Sequence, residues 1–184
     1  MQIIFEFVKD LLAKIGVTSP NSFWLMVQSL VILITLFYVH RQVRVNRYGN
    51  MLQTLNNMRE NWNSKQMMGF RRTTCENYLE GTKKIEMAEG EVLGFFEEMG
   101  LLLQKKVVSQ EFIWETYSYY IEHYWSMLKD NIQEFRLSTQ DKSWYDHFEY
   151  LRDSVRKYSE KKNCPSIDKT KEEIKRFISS ELGP

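Results

Sequence analysis

The sequence predicts an all-α protein in which a single transmembrane helix continues into a cytoplasmic bundle of about four to five helices. Three observations carry that prediction. Phe23 to Val39 reads FWLMVQSLVILITLFYV, without a charge, and stops at His40, Arg41 and Arg44. Downstream, apolar residues return at three- and four-residue steps as far as Ile178, with no strand-like alternation or hairpin signal. Only eight Gly and three Pro interrupt the 184 residues, whereas five Trp, ten Tyr and eleven Phe supply bulky seams between helices.

Residues 1–18 are the first predicted element. Ile4, Phe7, Val8, Leu11, Leu12 and Ile15 recur at helical spacing, with Glu6, Lys9, Asp10 and Lys14 largely opposite. An amphipathic helix of this kind lies in the headgroup layer or joins protomers. The plainer alternative, a cover for its own domain, is less favoured because that domain would sit across the bilayer.

Residues 19–40 are the predicted transmembrane helix. At about 1.5 Å per residue the apolar run is roughly 25 Å long, close to the hydrocarbon thickness of a bilayer. Ser19 and Pro20 suit an N-cap and first turn, and Trp24 and Tyr38 sit near the ends, where amphipathic rings favour the headgroups. No small-x-small cleavage site follows the run, which argues against a signal peptide, and the run is long for a buried core helix. Arg41, Arg44 and Arg47 follow it while only Lys9 and Lys14 precede it, so the expected orientation is N-terminus outside and C-terminal domain in the cytoplasm. Two distant cysteines, Cys75 and Cys164, match no ligand or redox motif and fit a reducing compartment.

Residues 41–62 read as a stalk, with Tyr48, Met51, Leu52, Leu55, Met58 and Trp62 as its stripe and Gly49 with Asn50 as a candidate bend. The stripe packs on the chain's own later helices or on a second copy. The bundle is expected over residues 63–162. Its first helix, from Asn63 to Tyr78, ends at Gly81, and its Arg71 and Arg72 are spaced to pair with Glu76 and Glu80. A sharper reading joins Arg71, Arg72, Lys83 and Lys84 into a phosphate or lipid-headgroup site.

From Glu86 to Lys106, Val92, Phe95, Phe96, Met99, Leu102 and Leu103 form one broad face. Gly90 and Gly94, four apart, either permit close helix approach or, equally, only weaken the helix mildly, and Glu98 is spaced to be buried and in need of a partner. Ser109 opens the most aromatic helix, Gln110 to Arg136. Its hydroxyls and indoles need polar neighbours, so Glu98, Tyr120, His123, Tyr124 and Arg136 are read as a structural network or as candidate ligand-binding residues of a pocket. Ser143 and Asp146 resemble a capping box for a helix to about Glu160. Residues 163–184 complete the chain as a short helix capped by Thr170 and Glu173, carrying Ile174, Phe177 and Ile178, followed by a frayed tail.

The stretch VLGFFEEMGLLLQKKVVSQEFIWETYSYYIEHYWSMLKDNIQEFR, Val92 to Arg136, with Trp144, Phe148, Tyr150 and Leu151 after it, resembles domain-of-unknown-function family 4760. The resemblance spans roughly Val39 to Arg152 and rests on the FFEEMG centre and the aromatic helix. It implies small bacterial proteins with an N-terminal membrane helix and a helical cytoplasmic domain, hence the bacterial inner membrane as location. It implies no activity and transfers no functional residue.

Enzyme signatures are missing. His40, His123 and His147 form no close metal motif, no glycine-rich phosphate loop or nucleophile elbow occurs, and adjacent Glu97 and Glu98 point in different directions on a helix. No enzyme activity, cofactor or metal is expected. With 25 Lys plus Arg against 24 Asp plus Glu, nothing advertises nucleic acid as partner. The expected function is a membrane-tethered binding or adaptor module acting by self-association or through an unidentified protein, with the lipid bilayer as its other partner. The alternative is a membrane effector of a bacterial stress or antiphage response, whose bundle senses a protein or nucleotide signal and whose N-terminal helices perturb the bilayer.

Overall fold

A computed structural model describes residues 20–164 and 168–183. The amphipathic segment expected at residues 1–18, on which the effector alternative leans, lies outside the described residues. All described regular structure is helical: α1 (Pro20–Trp62), α2 (Lys65–Leu79), α3 (Met87–Gln104), α4 (Gln110–Thr139), α5 (Asp146–Lys161) and α6 (Lys171–Leu182). One apolar helix long enough to span a membrane is thus followed by a multi-helix bundle. The chain divides into two compact units after Leu52.

Within the first unit, the described chain is helix. The apolar 18-residue window of α1 has a mean hydropathy of 1.5 and not one buried residue, so it is no core helix of this protein. Its hydroxyls are satisfied by the helix itself. Ser29 donates to the Leu25 carbonyl and Thr35 to that of Val31, each at 2.8 Å, which is how such side chains persist where water is absent. The helix runs through Gly49 and Asn50 without interruption.

The second unit begins with the end of α1, where Leu55, Met58 and Trp62 are buried. Ser64 caps α2 by accepting from the Met67 amide at 3.1 Å, and Gly81 takes the positive φ of 76° just beyond the helix's C-cap, Glu80. Glu86 and Glu89 form a capping box on α3. Glu89, 1% exposed, also accepts from Asn77 Nδ2 at 2.8 Å, so its buried carboxylate ties α2 to α3. Ser109 caps α4, and Thr170 with Glu173 forms the capping box of α6.

The start of α5 departs from expectation. Ser143 does not cap it; the Ser143 hydroxyl instead donates to Asp141 at 2.7 Å, and the residue before the helix, Tyr145, sits in the left-handed region at φ 61° with no capping side chain of its own. The cap comes from α3. Glu97 accepts from the amides of His147 and Phe148 at 3.2 and 2.8 Å, and from His147 Nδ1 at 2.7 Å. A carboxylate there satisfies two orphan amides and complements the positive end of the helix dipole.

Gly100, one turn further along α3, makes this approach possible. A Cβ at Gly100 would lie 2.0 Å from the His147 carbonyl oxygen, while one at Gly90 or Gly94 would meet nothing within 4 Å. Of the two readings of Gly90 and Gly94, close helix approach does not occur there; it occurs at Gly100. The FFEEMG stretch reads residue by residue: Phe95, Phe96 and Met99 fill the core, Glu97 caps α5, Gly100 admits it, and Glu98 is exposed. The expectation that Glu98 is buried is corrected. Neighbours on a helix are about 100° apart, and it is Glu97 whose direction meets α5.

Replacing Gly100 by Ala is expected to cost about 3 kcal/mol, because a backbone carbonyl cannot give way as a side chain can. Gly94→Ala, with open space around it, should instead stabilise by about 0.5–1 kcal/mol. Thermal unfolding of the full chain in detergent, followed by circular dichroism, compares the two. Equal effects would show that Gly100 is not the contact point.

Candidate functional site

Trp62 closes α1 inside a ring of aromatic side chains. Its indole centroid lies 4.7 Å from Phe95, 5.4 Å from Phe96 and 5.0 Å from Tyr120. Arg71 of α2 covers the same ring, its guanidinium carbon 4.3 Å from the centroid, and donates from Nη1 to the Trp62 carbonyl at 3.1 Å. The rest of its fork meets Glu181 of α6: Nε to Oε2 at 2.6 Å and Nη2 to Oε1 at 2.9 Å. Such planar, two-bond pairing is the strong form of a guanidinium–carboxylate contact.

The pair is secluded, with side chains 12% and 6% exposed, and Tyr124 adds a third donor to Glu181 Oε2 at 3.1 Å. Burial, reinforced by the Glu181 charge, pushes the Tyr124 phenol well above its ordinary value. The same two causes raise the Cys75 thiol to about 12. Both groups therefore stay neutral, and Cys75 is no nucleophile at physiological pH.

Three candidate ligand residues gather here. Tyr120 is half-buried against Trp62, Tyr124 is fully buried, and His123 is 4% exposed with its ring stacked on Phe177 of α6 at 4.6 Å and 24°. His123 Nδ1 donates to the Tyr119 carbonyl at 2.6 Å. Burial lowers its pKa, and Lys169 lowers it further, against the opposing Tyr119 carbonyl, Glu173 and Glu122. The other two candidates are elsewhere. Glu98 is exposed, and Arg136 is tied at the end of α4 to Asp146 and Glu149 at 3.1 and 2.9 Å and to the Trp144 carbonyl at 2.8 Å.

The four cations expected to share an anion do not converge. Arg71 is paired with Glu181 rather than with Glu76 or Glu80, and Arg72 donates to the Leu182 carbonyl at the end of α6. Arg71 and Arg72 line one cleft of about 440 Å³ together with Ser180 and Glu181, whereas Lys83 and Lys84 line another of about 320 Å³ with Asn131, Glu134 and Phe135. A third, of about 600 Å³, is bounded by Gln133, Arg136, Leu137, Gln140 and Lys142. Among the described residues no group of three or more His, Cys, Asp or Glu could hold a metal ion.

Glu181 was absent from the candidates, although it completes the site. Its signal was the spacing Ile174, Phe177, Ile178, Glu181, which puts a carboxylate on the apolar face of the last helix. The partner 110 residues away left no local trace.

Residues 25–155 match the family pattern described as Domain of unknown function (DUF4760). No curated protein and no solved structure matches the chain significantly. The matched stretch includes Trp62, Arg71, Cys75, Tyr120, His123 and Tyr124, and stops before α6.

The lowered pKa of His123 makes a signed prediction. A histidine whose folded pKa lies below its unfolded value of about 6.5 supports the fold fully above that value. The support is lost as pH falls through it toward the folded pKa. His123→Gln should therefore flatten the loss of thermal stability between about pH 7 and pH 5 relative to the parent chain. An unchanged difference across that range would show that His123 does not titrate against folding.

Proposed function

The chain belongs to the DUF4760 family, and from that footing we propose that it is a membrane-tethered helical adaptor, working through protein–protein contact or self-association at the cytoplasmic face of a bacterial inner membrane. The observation that carries this reading is the continuity of α1: the helix with the membrane-length apolar run also supplies Leu55, Met58 and Trp62 to the bundle core. The three Arg that follow the apolar run support the cytoplasmic side.

Binding, as opposed to catalysis, is supported by how the interior polar groups are used. Glu89 holds Asn77, Glu97 caps α5, and Glu181 holds Arg71. Glu122, 3% exposed, takes a forked contact from Arg156 at 2.9 to 3.2 Å. Each carboxylate joins one helix or cap to another. Meanwhile large apolar side chains face outward: Leu137 is 79% exposed, Met87 71% and Leu79 56%, and Leu137 borders the largest of the three clefts.

Two measurements bear on this. A photo-reactive residue at position 137, in the full chain in native membranes, should give discrete protein adducts that position 115 does not; lipid adducts alone would contradict the adaptor reading. Cys164 is exposed and Cys75 buried, so a membrane-impermeant maleimide should label Cys164 in inverted vesicles and not in intact spheroplasts. The reverse pattern would place the bundle outside.

A further inference from the structure

Naming a partner for the adaptor, and so resting on that reading, we propose that the groove formed by Trp62, Arg71, Tyr120, His123 and Tyr124 is a docking surface for an amphipathic helix of another protein that carries one carboxylate on its apolar face, and that α6 occupies it as an internal stand-in. The required partner presents apolar residues at i, i+3 and i+4 and a carboxylate at i+7. Ile174, Phe177, Ile178 and Glu181 have that spacing, with Phe177 wholly buried and the Glu181 side chain 6% exposed. This is the arrangement by which a helix is recognised in a groove, a short row of apolar anchors with one charge fixing register.

Two observations separate the groove from its present occupant. Its walls come from α1, α2 and α4 and lie inside the stretch that matches the family, residues 25–155, while α6 lies beyond it. The walls are also incomplete alone. Without α6, Arg71 would lose its carboxylate and the Tyr124 hydroxyl its acceptor. The groove therefore selects an occupant that returns both an apolar face and a carboxylate. A phosphate or headgroup lacks the apolar anchors, and a neutral helix leaves Arg71 unpaired.

α6 is suited to give way. It is 12 residues long, too short to be stable as a helix away from its groove, and packs mainly on α2 and α4. A partner helix of the same chemistry competes with it, and the apparent affinity of the groove is scaled by the fraction of chains in which α6 has left.

The test uses the full chain in detergent and a fluorescent peptide of residues 168–183 as probe. The parent chain should bind it weakly, because α6 is present at high effective concentration. Phe177→Asp in the chain, which ejects its own α6, should raise affinity at least about tenfold. The same peptide carrying Glu181→Arg should not bind that chain, but should bind a chain carrying Arg71→Glu, in which the charges are matched again. If Phe177→Asp disturbs the bundle, the Arg71→Glu chain alone decides, since its α6 is already mismatched. Failure of both released chains to bind, or equal binding of the two peptides, overturns the proposal. A mixed-size complex of parent chains that disappears with Arg71→Glu would overturn it in favour of exchange between copies. Peptide binding without protein adducts at position 137 would leave the groove standing and remove the adaptor reading; adducts without peptide binding would do the opposite.

Discussion

The packing of Trp62 is the constraint on which the rest of the molecule depends. It is the last residue of a 43-residue helix, and it meets α3 through Phe95 and Phe96, α4 through Tyr120, and α2 through the guanidinium of Arg71 lying on its face. An aromatic side chain in this position contributes area, ring-edge contacts and a face for a cation at once. Arg71 lies on that face and donates to the Trp62 carbonyl, and its two remaining donor directions meet the Glu181 carboxylate. A planar fork of this kind fixes the geometry with which a carboxylate must enter, whichever helix supplies it.

A second device works one turn along α3, on the face that meets α5. The N-terminus of α5 has no capping side chain of its own, and Glu97 supplies one from a neighbouring helix across the gap that Gly100 leaves open. Phe96 and Phe148 then stack at 4.8 Å with their planes 12° apart, and Trp125 meets Phe148 edge-on. The FFEEMG stretch is thereby explained as docking between helices, with its acidic pair divided between a cap and solvent. The Arg71 fork on Glu181, like that of Arg156 on Glu122, is the kind of group that recognises an anion with geometry as well as charge.

Much of this was legible in the sequence, and the failures share one cause. The uncharged run, the 3.6-residue periodicity and the Ser and Thr caps report on a residue's own helix, so the all-helical architecture with one membrane-length helix followed. Choosing Glu98 over Glu97, or Gly90 and Gly94 over Gly100, required knowing which helix lies against which face. Spacing alone leaves that open. The Tyr120, His123 and Tyr124 cluster was visible as aromatic and polar residues one turn apart, but Arg136 lies twelve residues past Tyr124, roughly 18 Å along the helix, so periodicity joined what distance separates. Glu181 and Cys75 join the same site from opposite ends of the bundle sequence, and nothing local marks either as a partner of Tyr124.

The central claim is that one residue at the end of the membrane-length helix organises both the core and the groove that holds α6. Hydrogen–deuterium exchange on the full chain in detergent, comparing the parent with Trp62→Leu, tests it most directly. The account predicts faster exchange in α6 around Phe177 and in α2 around Arg71, while α5 around Phe148, held by Glu97, keeps its protection. Unchanged protection of α6, or loss spread evenly over every helix, would contradict it.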